Sequence, residues 1–68
     1  MKKGDKVEII SLKHTEKTFG IVEGMFKVGD KSKITFIERD VQSTNHGLMD
    51  CAELEDGFSY HFKDLKKV

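Results

Sequence analysis

The apolar residues on either side of Glu55-Asp56-Gly57 can be brought together in only one register, and no other stretch constrains the chain as tightly. Leu48 to Leu54 and Phe58 to Phe62 read as the two strands of a hairpin, in which successive side chains point to opposite faces. A two-residue turn at Asp56-Gly57 sets Leu54 against Ser59 and Ala52 against His61, mixing apolar with polar on both faces. A three-residue loop with Gly57 in the left-handed conformation instead sets Leu54 against Phe58, Ala52 against Tyr60 and Asp50 against Phe62. Leu54, Ala52, Phe58, Tyr60 and Phe62 then share one face, and Cys51, Glu53, Ser59 and His61 the other. The chain is therefore expected to take the second register, with a glycine bulge at Gly57.

Upstream, Lys6 to Leu12 is a β-branched run whose Ile9-Ile10 doublet predicts a bulge or burial on both faces. Lys13 to Lys17 is polar and reads as a loop. Phe19 to Val28 is apolar but interrupted by Gly20 and Gly24, which marks a bend or a close backbone approach, with Gly24 leading into a predicted strand. Gly29 to Ser32 is a turn, and Lys33 to Arg39 is the best-formed strand. The pattern Lys-x-Gly-Asp-Lys-x-x-Ile occurs at Lys2 to Ile9 and again at Lys27 to Ile34, predicting one turn-into-strand solution used twice. Gln42 to Gly47 is a loop by composition. The tail from Lys63 has room for one helical turn and a short closing strand, anchored by Leu65 and Val68.

At 68 residues the chain has room for a single domain, residues 1–68, with a thin core. Its hydrophobic and charged fractions, 37% and 35%, place it among globular chains because the apolar residues cluster between turns. No apolar run reaches the ~20 residues of a membrane helix, and the start turns polar before a signal-peptide core could begin. Cys51 is the only cysteine, so no intramolecular disulfide forms and a reducing cytoplasm is the expected compartment. Charge balances at 12 basic and 12 acidic residues, which weakens any argument for nonspecific nucleic-acid binding. It is unevenly spread, however. Residues 1–33 carry eight lysines against five acids, residues 38–56 one arginine against six acids, and residues 63–68 three lysines against one acid. Such polarity steers association with a charged partner.

Short strands with no helix longer than a turn define an all-β chain, and curling about five of them into a small barrel removes the sheet edges. Gly4-Asp5-Lys6-Val7, Phe19-Gly20 with Gly24-Met25, Glu55-Asp56-Gly57 and Tyr60-x-Phe62-x-x-Leu65 follow an order that resembles the SH3-like small barrels, in which a 3-10 turn precedes the last strand. Among these the chain looks most like the small barrels encoded by bacteriophages and mobile elements, with KOW-like and Tudor-like domains as further relatives of the pattern. The resemblance implies a non-enzymatic module that binds a larger protein and modulates or inhibits it. It does not imply recognition of proline motifs, because tryptophan is absent and the only tyrosine, Tyr60, falls on the core face.

His14, His46, His61, Cys51 and Asp50 lack the tight spacing zinc requires, so neither a metal nor a cofactor is expected. Cys51 and His61 read as an exposed cross-strand pair and not as a nucleophile and its base. Gly20 and Gly24 lack the Lys-Ser or Lys-Thr of a phosphate loop. Partner contacts are expected from Lys13, His14, Lys17 and Phe19 on one side and from Glu38, Asp40, Glu53, Glu55 and Asp56 on the other. The alternatives are a nucleic-acid binder using Lys13, Lys17, Lys27, Lys31 and Lys33 with Phe19 as an aromatic platform, and a self-associating structural piece.

Overall fold

The repeated turn organises the first half of the sheet. At Lys2 to Asp5 the Asp5 N–H donates to the Lys2 carbonyl at 3.0 Å, while the Asp5 carboxylate accepts from the Lys2 N–H at 2.9 Å. Lys27 to Asp30 makes the same two bonds at 3.0 and 2.9 Å. Gly4 and Gly29 hold φ of +92° and +97°, the left-handed value that the third position of a type II turn requires. The two copies also grip each other. Gly4 N–H donates to the Ile34 carbonyl and Gly29 N–H to that of Ile9, both at 2.8 Å, while Ile34 and Ile9 N–H donate to the Asp5 and Asp30 carbonyls at 2.9 Å. The motif therefore pairs with itself about a local two-fold.

The computed structural model describes residues 1–43 and 47–68, with side chains for residues 1–39 and 49–68. Strand β1 (Lys6–Ile9) lies antiparallel between β2 (Lys31–Ser43) and β5 (Leu65–Lys67). On the other side of β2 come β3 (Gly47–Leu54) and then β4 (Ser59–His61), giving the order β4-β3-β2-β1-β5. A 3-10 turn, Phe62–Asp64, precedes β5, and a seven-residue helix, α1 (Lys13–Phe19), follows β1. The fold is thus mostly β, one antiparallel sheet with a short helix and a 3-10 turn. The sheet stays open, with β4 and β5 at its edges, so the expected closed barrel is not formed among the described residues. No helix among those residues is long and apolar enough to cross a membrane.

The β3–β4 register is the one the apolar pattern selects: Ala52 faces Tyr60 and Cys51 faces His61, with Gly57 at φ +83°. Val7, Ile9, Ile34, Ala52, Leu54, Tyr60 and Leu65 form the core, and Phe58 and Phe62 pack against it.

Several expectations are corrected. Lys13 to Lys17 is helical, Ile10 is half-exposed beyond the end of β1, and no strand forms between Phe19 and Val28. Gln42, Ser43 and Gly47 belong to strands, with Ser43 opposite Gly47, whereas the expected loop residues Thr44, Asn45 and His46 lie outside the described residues. Leu65 is buried, but Val68, placed in the core by its apolar character, is 51% exposed because β5 ends one residue earlier at an open edge. Cys51 and His61 are buried, since α1 covers their face of the hairpin: the Thr18 hydroxyl reaches the Met49 sulfur, and the His14 ring lies 5.2 Å from that of His61.

From its own flank helix α1 takes only one cap, the Ser11 hydroxyl accepting the Lys13 N–H at 3.0 Å, because Leu12 offers no side-chain acceptor. The next two N–H groups are capped from the far end of the chain. The fully buried Asp64 carboxylate accepts from the Thr15 N–H at 2.6 Å, the His14 N–H at 3.3 Å and the His14 ring Nδ1 at 2.9 Å. In turn the Thr15 hydroxyl accepts the His61 N–H of edge strand β4 at 3.0 Å, so the helix closes part of that edge. Burial drives the Asp64 carboxyl upward, but hydrogen bonds from the Thr15 hydroxyl and N–H and from the His14 ring and N–H outweigh it and hold it below the ordinary carboxylate range. Replacing Asp64 with Ala removes the cap and leaves buried donors unpaired, a loss of about 2–4 kcal/mol by urea unfolding at neutral pH. The sign of the pH dependence follows from the depressed folded value: the contribution is complete above the unfolded carboxylate pKa of ~3.9 and drains away as pH falls through the lower folded value. The stability gap between wild type and Asp64→Asn is expected to shrink below about pH 4, and a gap constant down to the acid transition would contradict this assignment.

Candidate functional site

The segment after α1 makes no ladder and is held by side chains instead. The Phe26 N–H donates to both the Tyr60 hydroxyl at 2.8 Å and the Asp56 carboxylate at 3.0 Å, and the Tyr60 hydroxyl itself donates to Asp56. The other Asp56 oxygen accepts the Phe58 N–H at 3.0 Å. Burial, and then the bond to Asp56, push the Tyr60 hydroxyl well above its ordinary pKa, so it stays a protonated donor. One carboxylate thus ties the β3–β4 loop to the 20–26 segment.

Between these two pieces lies an open groove of about 330 Å³, lined by Phe19, Gly20, Val22, Met25, Gly57, Phe58 and Ser59. Met25 and Phe58 pack on the core behind it, while Phe19, Ile21 and Val22 remain 43%, 43% and 51% exposed. Three large apolar residues exposed within four positions, beside a groove floored by further apolar side chains, form a patch that a chain this small could have buried. Gly24 faces the floor, where an added Cβ would lie 3.7 Å from the Phe58 ring.

Of the residues expected to meet a partner, only Phe19 lines this groove. Lys13 and Lys17 are exposed on α1, whereas His14 is turned inward onto Asp64. Glu38 is exposed on β2, Asp40 lies on β2 with its side chain outside those described, and Glu53 is half-buried on β3. Glu55 accepts the Lys33 N–H at 3.1 Å and the Ser32 hydroxyl at 3.2 Å, the first of these mainly holding its carboxyl below the usual range, and Asp56 anchors the groove wall. The two therefore also serve the fold. The basic set separates as well, with Lys13 and Lys17 on α1, Lys27 in the second turn, and Lys31 and Lys33 on β2. The contact surface of Val22, Met25 and Phe58 is missed by sequence reasoning; its signal is the glycine-broken apolar run, which reads as a bend leading into a strand.

Among the described residues no group of three or more His, Cys, Asp or Glu side chains could hold a metal ion. The Cys51 thiol is raised to about 11, first by burial and then by the Glu38 and Asp50 carboxylates. At neutral pH it is a neutral thiol, a poor nucleophile and a poor ligand. No family model matches the chain, nor does any characterised protein or solved structure compared with it.

With its thiol held neutral, folded Cys51 is expected to react with iodoacetamide near pH 8 at least about 100-fold more slowly than free cysteine, and at the free rate once urea unfolds the chain. Fast alkylation of the folded protein would show the thiol to be accessible and ionised.

Proposed function

We propose that this chain is a non-enzymatic binding module that docks a larger protein and modulates it, and that an apolar side chain or turn of that partner enters the groove between the 19–25 segment and Gly57-Phe58-Ser59. The observation that carries this reading is the exposure of Phe19, Ile21 and Val22 on a segment pinned by Asp56 and Tyr60 yet left outside the sheet. Hydrophobic anchors held in place before contact are what protein interfaces use, because little side-chain or loop freedom is then lost on association. The exposed Lys13 and Lys17 lie on the helix that leads into Phe19 and fit the polar rim of such a contact.

The SH3-like reading belongs here too. A strand order in which the last strand, preceded by a 3-10 turn, lies beside the first is the order those small barrels share, and it supports this chain as an open relative of them. Inhibition of a host or defence protein by a phage-encoded module of this kind, acting in the cytoplasm, fits the same resemblance.

A displayed peptide library panned on the protein tests the groove directly. Enriched peptides are expected to share one or two large apolar residues and to bind Phe19→Ser/Val22→Ser at least about tenfold more weakly, with the thermal midpoint kept because both residues are already exposed. Peptides that bind wild type and the double variant equally would remove the groove from the proposal.

A further inference from the structure

The uneven charge of the sequence becomes a division of the folded surface. The basic N-terminal half and the basic tail are far apart in the chain, yet β1 and β5 are paired neighbours and β2 begins beside them. Lys6 stands directly opposite Lys33, and Glu8 lies between Lys31 on one side and Lys66 on the other. Residues paired across a sheet share a face, and Val7 and Ile9 occupy the opposite, core face. Lys6, Lys31, Lys33 and Lys66 therefore project together from the outer face, with Glu8 among them and the Glu55 carboxylate at its margin, on the Lys33 N–H. All four lysines are exposed, and none forms an ion pair among the described residues. The acids Glu38, Asp50, Glu53, Glu55 and Asp56 belong to the other half of the sheet and its loop.

Positions two apart on a strand are ~6.7 Å apart and neighbouring strands ~4.8 Å apart, so this face carries ammonium groups at close intervals in two directions. A solitary carboxylate meets one of them, whereas a polyanion with closely spaced charges meets several. Beside the lysines a register shift at Thr35 turns Phe36 outward opposite Glu53, where its ring is 51% exposed. Phe36 stands between the lysines on one side and Glu53 and Glu38 on the other, at the border of the basic face. An aromatic there suits a flexible strand whose bases can stack while its phosphates track the lysines.

We propose that the outer face of β5, β1 and the first half of β2 docks single-stranded nucleic acid, with Lys6, Lys31, Lys33 and Lys66 on the phosphates and Phe36 under a base. This surface uses none of the groove residues, so it is a second site on the module and stands or falls separately from the protein-binding reading.

Fluorescence anisotropy with labelled oligothymidylate and oligouridylate of about 20 nucleotides, between about 50 and about 200 mM salt, tests it. Expected are dissociation constants on the order of 1–100 μM at low salt and a log–log salt slope of about −3, which is roughly a 60-fold loss across that range. Lys6→Thr/Lys33→Thr is expected to halve the slope. Phe36→Ala is expected to weaken binding about fivefold or more while leaving the slope in place, and Lys63→Thr to change neither. Circular dichroism melts show that each variant remains folded. Absence of binding at low salt, or binding indifferent to the lysine pair, overturns the proposal. Polyglutamate competing as well as the oligonucleotides, with no effect of Phe36→Ala, assigns the face to an acidic protein instead. Salt-sensitive self-association in sedimentation that Lys6→Thr/Lys33→Thr abolishes assigns it to the acidic half of a second copy.

Discussion

Helix α1 and, through it, the edge strand β4 are positioned by the Asp64 carboxylate. It is fully buried, and ions in such surroundings are tolerated only when their lone pairs are filled. Here they are filled by the first-turn N–H groups of α1 and by the His14 ring, so a helix too short to be stable by itself is held against the 3-10 turn that carries the acid. From that placement follow the cover over Cys51 and His61, the protected N–H of β4, and the point at which the chain leaves the helix at Phe19. Removing one oxygen pair at the C-terminal end would thus be felt at an apolar groove built from the middle of the sequence.

The twice-used turn supplies a second constraint of a different kind. Because its two copies hydrogen-bond to one another, β1 and β2 are brought into a fixed register by local rules repeated at a distance, and the lysine that each copy carries after its Gly-Asp, Lys6 or Lys31, is left on the outer face. The lysine-rich surface is therefore tied to the turn solution: moving the register by one residue would carry these lysines toward the core and Val7 out of it.

How far the sequence can be read follows the same physics. Hairpin register was legible at Leu54, Ala52, Phe58 and Tyr60 because burial on one face makes alternation and loop length interdependent. The 3-10 turn and the closing strand were legible from Leu65 and the length of the tail. Helix α1 was not, because its buried residue is a threonine, so no apolar periodicity marks it, and beyond the single bond from Ser11 its cap sits about 50 positions away. The loop that walls the groove escapes sequence reasoning for a related reason. An apolar run between glycines is equally consistent with a buried strand and with a pinned loop, and what decides is Phe26 N–H bonding to Asp56 and Tyr60 in place of a neighbouring strand, a contact that no local pattern encodes.

That choice bears on function. A strand through Phe19 to Val28 would have placed alternate side chains in the core and left the rest as a solvated face. Held as a loop by one carboxylate and one phenol, the segment keeps Phe19, Ile21 and Val22 outside, and the core is closed instead by Met25 and Phe26 at its margin. The exposed apolar surface is then a consequence of how the loop is anchored, and a fold of this size tolerates it only because the anchoring residues, Tyr60 and Asp56, are themselves fixed by the hairpin whose register the sequence specifies most firmly.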